Sequence, residues 1–259
     1  MDAFSSPIGN SIWLVLTSSP ALSSKATAIV SLIIDPLLEV LLLIALLTSV
    51  GVTTGTQVRD AAYAATILAI GLSVMSGAVA STTHDRQLGV AHTAIADGLR
   101  NPAFWAGKLI APMLTRLLPA IFGVLGVYWA IGDGNTALLV RALWLIPVAA
   151  FVGALVGIAA AIASLGLSDP YLVSNISRAI LLITAGVVVP LRYYPSWLAT
   201  VARFLPFTAL IEAVRADGGV WLLLLRELGV SAVWLTVGLL LARWVLDRIR
   251  SGDRAEQIW

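Results

Sequence analysis

The chain has 259 residues, 59% hydrophobic and only 12% charged, with a net charge of +2 and no cysteine. A soluble domain carries about 25% charged residues to keep its surface wet, so half that share implies a surface facing lipid. The near-neutral balance gives no footprint for nucleic acid, and the lack of cysteine excludes disulfides, zinc–thiolate sites and thiol catalysis.

A spanning helix needs about 20 apolar residues to cross a hydrocarbon core of about 30 Å. Residues 10–24 fall short of that: the apolar run Ile12–Leu16 is brief, and no Lys or Arg occurs in the first 24 residues. A signal sequence needs a basic start and a longer core, so this stretch reads as a short amphipathic segment with Trp13 near the headgroups. The first span is expected at 28–52, interrupted by Asp35, Pro36 and Glu39. A polar stretch, Thr53–Asp60, leads to the second at 61–82. The third and fourth are expected at 104–131 and 138–165, joined by the turn Gly132-Asp133-Gly134-Asn135. The fourth is rich in Gly and Ala between Ala149 and Ala163, which suits close helix packing in lipid. Gly166–Pro170 breaks it, and the fifth runs from 171 to 189, ended by Pro190.

Between 83 and 102 lies the longest polar stretch separating two apolar segments. It alternates polar and apolar residues at roughly helical spacing, which reads as an amphipathic helix on the inner surface or, more blandly, a solvated connector. Residues 190–220 are of another kind. Pro190, Pro195 and Pro206 cut them into pieces too short to cross, Ser196 and Thr208 offer two helix starts, and Gly218-Gly219 offer a stop. These pieces carry Trp197, Phe204, Phe207, Arg192, Arg203 and Arg215. Such a segment lies in the interface or re-enters it, with its irregular backbone buried in protein. The last span is expected at 228–247, entered through an interfacial turn at Trp221–Glu227 and followed by Arg248, Arg250 and Arg254.

The expectation is an all-α integral membrane protein: one transmembrane domain over 1–259, six spans, and both termini on one side. With the termini in the cytoplasm, the inner side collects Lys25, Arg86, Arg100, Lys108, Arg178, Arg243, Arg248, Arg250 and Arg254. The outer side collects Arg59, Arg141, Arg192, Arg203, Arg215 and Arg226. The excess is on the cytoplasmic side, as the positive-inside tendency requires.

No G-x-x-x-x-G-K-[ST] loop is present to cradle ATP phosphates, and no G-x-S-x-G elbow is present either, so the chain reads as a non-enzyme. His84 and His92 share one loop and read as solvated side chains, and Asn175-Ile-Ser177 as a chance match to a glycosylation acceptor. Three ionisable groups break the membrane rules. Asp35 and Glu39, four apart, share one helix face, and Arg116 sits inside the third span. Counted from the inner ends, Glu39 and Arg116 both fall roughly 17 Å deep. They therefore read as an interhelical pair, or Asp35 and Glu39 as acids on a transport path for cationic cargo.

Two stretches resemble the membrane subunits of type-2 ABC exporters. One is Thr184-Ala-Gly-Val-Val-Val-Pro190-Leu-Arg-Tyr-Tyr-Pro195-Ser-Trp197-Leu, followed by Phe204-Leu-Pro206-Phe-Thr-Ala-Leu-Ile-Glu212-Ala-Val-Arg215. It is similar to the family's outer re-entrant pair and its approach to the sixth helix. The other runs from Asp85-Arg86-Gln87-Leu88-Gly89 through Asn101-Pro102 to Gly107-Lys108, and it resembles the coupling-helix loop. This chain departs from the family there, with Ala91 where a Glu is often found.

The resemblance implies two such subunits about a two-fold axis, either two copies or a copy and a paralogue, in a plasma membrane and of bacterial type. Each would be driven by a separate cytoplasmic ATPase that holds the ATP and Mg, with no cofactor in this chain. It implies docking through Asp85, Arg86, Gln87, Leu88, Gly89, Asp97 and Arg100. It also implies an outer gate of Pro190, Pro195, Trp197, Phe204, Pro206, Phe207, Glu212 and Arg215. The implied function is export of a hydrophobic, drug-like or antibiotic-like molecule. Alternatives are export of a lipid or lipid-linked glycan by the same architecture, or a membrane substrate-binding subunit for uptake.

Overall fold

The computed structural model describes residues 24–49, 55–87, 102–131, 134–164, 167–187, 189–216 and 218–250. Among the described residues the chain is helical, with no strand. The predicted N-terminal amphipathic segment lies outside them.

Helix α1 (Lys25–Ile29), a π turn (Val30–Ile34) and α2 (Asp35–Ser49) follow one another without a gap. Ser24 caps the start, its Oγ accepting the Thr27 N–H at 3.1 Å. Pro36 gives a physical reason for the π turn. Its ring would crowd the carbonyl four residues back, and the wider turn relieves this, with the Asp35 N–H donating to the Val30 carbonyl five residues back.

Helix α3 (Gly55–Gln87) corrects the expected second span at both ends. The expected connector is helical from Gly55 onwards, and the helix runs past the expected end at 82 to Gln87. Polarity marked where the helix leaves the apolar layer, not where its hydrogen bonds stop. Nothing between Thr56 and Ile70 is a proline or glycine, so no residue there breaks the ladder. Thr82 and Thr83 tuck their hydroxyls onto the carbonyls of Ala78 and Val79 at 3.0 and 2.9 Å.

Helices α4 (Pro102–Ile131) and α5 (Thr136–Ala163) fall within two residues of expectation. Asn135 caps α5 by accepting the Leu138 N–H at 3.0 Å. Helix α6 (Leu172–Thr184) has 13 residues, shorter than the expected 171–189. Gly186 adopts φ 81 just past its end, a left-handed residue that stops the helix, and the chain continues irregularly to Pro190. A 3-10 turn (Leu191–Tyr193) precedes α7 (Ser196–Arg203) and α8 (Thr208–Arg215), which meet at 103°. The last helix, α9 (Val220–Arg250), absorbs Trp221–Glu227. The expected turn is absent because Gly219, at φ 70, already makes the break and a leucine-rich run follows it.

Among the described residues four helices are long and apolar enough to cross a membrane: Gly55–Asp85, Ala106–Ile131, Thr136–Ala163 and Val220–Leu241. The bent pair α7–α8 makes a fifth if it is counted as one span. Helix α6 is apolar but shorter than these. This is a multi-pass membrane protein.

Helix α5 is the centre of the bundle, packed against α3, α4 and α9. Its Gly153-x-x-x-Gly157 stripe permits a close crossing. A methyl on Gly153 would overlap the backbone carbonyl of Gly71, and one on Gly157 would overlap Met75 and Ala78. Small residues drive such approaches in lipid because van der Waals contact replaces the hydrophobic effect there. Helix α2 lies along α4, with Pro36 beside Gly123 and Leu37 beside Gly126.

Candidate functional site: the loop end and the bent pair

Where α3 ends and α4 begins, Lys108 of α4 reaches the last turns of α3. Its ammonium pairs with Asp85 at 2.6 Å and donates to the Ser81 hydroxyl at 2.7 Å and carbonyl at 3.0 Å. Both charged side chains are largely covered, at 11% and 16% exposure, so the pair is not a solvent-screened surface contact. It holds the two roots of the loop together. Of the residues assigned to docking, Asp85, Arg86 and Gln87 lie on the last turn of α3, whereas Leu88, Gly89, Asp97 and Arg100 lie outside the described residues.

The opposite end is organised around α8. This eight-residue helix has no cap of its own: the residue before it, Phe207, has φ 71 and no capping side chain. Thr208, the expected helix start, is the first helical residue and does not cap. The capping group arrives from another helix. Glu227 of α9, fully buried, accepts the Phe207 N–H on Oε1 at 2.6 Å. Its Oε2 accepts those of Ala209 and Leu210 at 3.0 and 3.2 Å. Desolvating a carboxylate costs several kcal/mol, and three N–H donors at a helix N-terminus are the kind of partner that offsets it. Ser196 likewise begins α7 without capping it; Pro195 precedes it.

The other end of α8 is held as firmly. Arg141 of α5 donates to the carbonyls of Val214 and Ala216, and Arg215 donates to those of Gly186, at 2.6 Å, and Val187. Glu212 pairs with Arg226 at 2.8 Å. The charged residues of α8, Glu212 and Arg215, are therefore engaged with the body of the protein. Beside them a cavity of about 540 Å³ opens between the start of α3 and the approach to α7, lined by Gln57, Asp60, Arg192, Tyr193, Glu212 and Arg215 among others.

The three aromatics expected to act together separate. Trp197 and Phe204 are exposed, at 67% and 71%, whereas Phe207 is fully buried. Its ring lies against Gly71, where an added methyl would overlap it. Pro206, also buried, leads into it, and Trp234 of α9 donates its indole N–H to the Phe204 carbonyl at 2.9 Å.

Of the intramembrane charges, Asp35 is exposed beside the π turn, Arg116 is exposed between Pro112 and Pro119, and the Glu39 side chain is not described. The contacts of α2 on α4 set the register, with Val40 near Gly126, ten residues or about 15 Å along the axis beyond Arg116. Sequence reasoning missed Glu227, Arg141 and Gly71. An acid inside a leucine-rich run is itself a flag, and placing Glu227 in an interfacial turn removed it.

Taken together, the long apolar helices and the bent pair define a class, a multi-pass helical membrane protein. Residues 25–217 match the family described as ABC-2 type transporter, and the chain belongs to that family. It is accordingly the permease component of an ABC transporter; in this family ATP hydrolysis belongs to partner ATPase subunits and a second permease copy is usual. No curated protein matches the chain.

Proposed function

We propose that this chain forms half of the path of an ATP-driven exporter for a hydrophobic small molecule, drug-like or antibiotic-like. The reading has six spans, the first being α1 to α2 and the fifth α6 with its irregular continuation to Pro190. Both termini lie in the cytoplasm of a bacterial cell, and two permease copies or paralogues pair in the plasma membrane. The loop end is then cytoplasmic, ATP and Mg sit on the partner ATPase, and the bent pair faces outward as the gate.

The observation that carries this is the pairing of a permease family match with a clamped loop at one end and a bent helix pair at the other. A clamp at the roots of a loop suits a part that must transmit force without splaying. Export suits the bent pair because a gate on the far side from the motor must open last. Asp35 and Glu39 favour a cationic cargo if they face the path.

Co-reconstitution with its partner ABC ATPase, using a lipophilic cationic dye as probe, tests this. ATP should drive the dye out of the ATPase-bearing compartment. Movement in the reverse direction, as in uptake, or stimulation of hydrolysis by lipid with no dye movement, would replace this cargo reading.

A further inference from the structure

We infer that the Phe207 ring, seated on Gly71 and held by Glu227, is the joint through which α3 drives the bent pair. The inference rests on the reading that the loop after α3 receives the ATPase.

Helix α3 is one uninterrupted rod of 33 residues. At 1.5 Å per residue it spans close to 50 Å, from the far end of the molecule to the last turn before the loop. Gly71 is its middle residue. At that point α3 carries no side chain, and the Phe207 ring fills the notch. The ring belongs to the vertex where α7 turns into α8, so displacement of the rod reaches the bent pair at its apex.

The apex is not a passive contact. Phe207 is the one non-glycine residue with positive φ among the described residues, a conformation that costs of order 1 kcal/mol or more. Glu227 opposes that cost directly, because its Oε1 takes the N–H of Phe207 itself while Oε2 takes those of Ala209 and Leu210. The carboxylate thus fixes both the backbone that aims the ring and the first turn of α8, and makes them one body with α9. The two limbs differ accordingly. Helix α8 is buried along most of its length, while α7 exposes Trp197, Val201 and Phe204. The joint is on the anchored limb, and α7 is the limb that moves relative to it. Glu227 lies beyond the residues that match the family.

Glu227 acts through the apex, so it is a positioning residue, and the test must separate coupling from folding. The native chain has no cysteine, so Thr200→Cys on α7 can carry a single environment-sensitive fluorophore. With the ATPase co-reconstituted, wild-type background should show a fluorescence change on ATP addition. Gly71→Ala, which pushes the ring out of its notch, should keep ATP hydrolysis and cut that change about tenfold, within the range of coupling energies between sites. Adding Phe207→Leu, which returns the room the methyl takes, should restore it. Should Gly71→Ala fail to fold, Phe207→Ala and Glu227→Gln give the same readout, each with hydrolysis kept and the fluorescence change reduced.

Full coupling in Gly71→Ala or in both alternates, or loss of the signal without rescue by Phe207→Leu, overturns the joint. Failure of the underlying reading looks different: the wild-type background itself shows no ATP response because the ATPase never engages.

Discussion

Lys108 illustrates how one side chain can serve a neighbouring function without performing it. The Gly107-Lys108 pair carries part of the family resemblance, and the structure shows what the lysine does: it closes the base of the loop on Asp85 and Ser81. Replacing it with Met leaves the Asp85 carboxylate covered and without its counter-charge, which should cost about 2 kcal/mol. Thermal unfolding in detergent should show Tm lower by about 5 °C, and Asp85→Leu in the same chain should recover most of it, since removing both partners spares the uncompensated charge. An unchanged Tm in Lys108→Met would mean that the clamp contributes nothing. Glu227 obeys the same physics in a deeper site, where the counter-group is a helix N-terminus rather than an ammonium.

Among elements, the α3–α5 crossing carries the fold. Backbone meets backbone at Gly71 and Gly153, so any side chain at Gly153 must push the helices apart. Gly153→Leu should destabilise by about 3 kcal/mol or prevent folding, the upper end for overpacking, whereas Gly229→Ala, whose surroundings are open, should be neutral in the same assay. Equal effects from the two would deny the crossing its role.

The helices were legible from the sequence to different degrees. Helices α4 and α5 were read within two residues because their apolar runs coincide with their hydrogen-bonded runs. Helix α3 was read too short because its hydrogen-bonded ladder runs on through polar residues at both ends, with no proline there to stop it. Helix α6 was read too long because Val187, Val188 and Val189 continue the apolar run after Gly186 has already ended the helix. In the bent pair, the prolines announced the breaks correctly. What capped α8 could not be seen, because Glu227 lies 18 residues beyond Ala209 and only tertiary folding brings them together. The Gly/Ala stripe of α5 announced a close crossing without naming Gly71 as its partner.

At the scale of the whole molecule, the proposed joint makes α3 a lever. A rod enters at the loop, passes through a crowded centre, and touches the bent pair at its apex. Such an arrangement can transmit force applied at the loop, and in this family ATP hydrolysis belongs to partner subunits. The central claim is therefore that residues 83–102 meet the ATPase. A single cysteine at position 92, introduced into the naturally cysteine-free chain, tests this by disulfide cross-linking to single cysteines placed around the ATPase surface in native membranes. The account predicts a cross-link that forms in inside-out vesicles, is lost when the ATPase is stripped, and changes in yield with ATP. A cysteine at position 92 that reacts with membrane-impermeant maleimide from the outside of intact cells, and never cross-links to the ATPase, would contradict it.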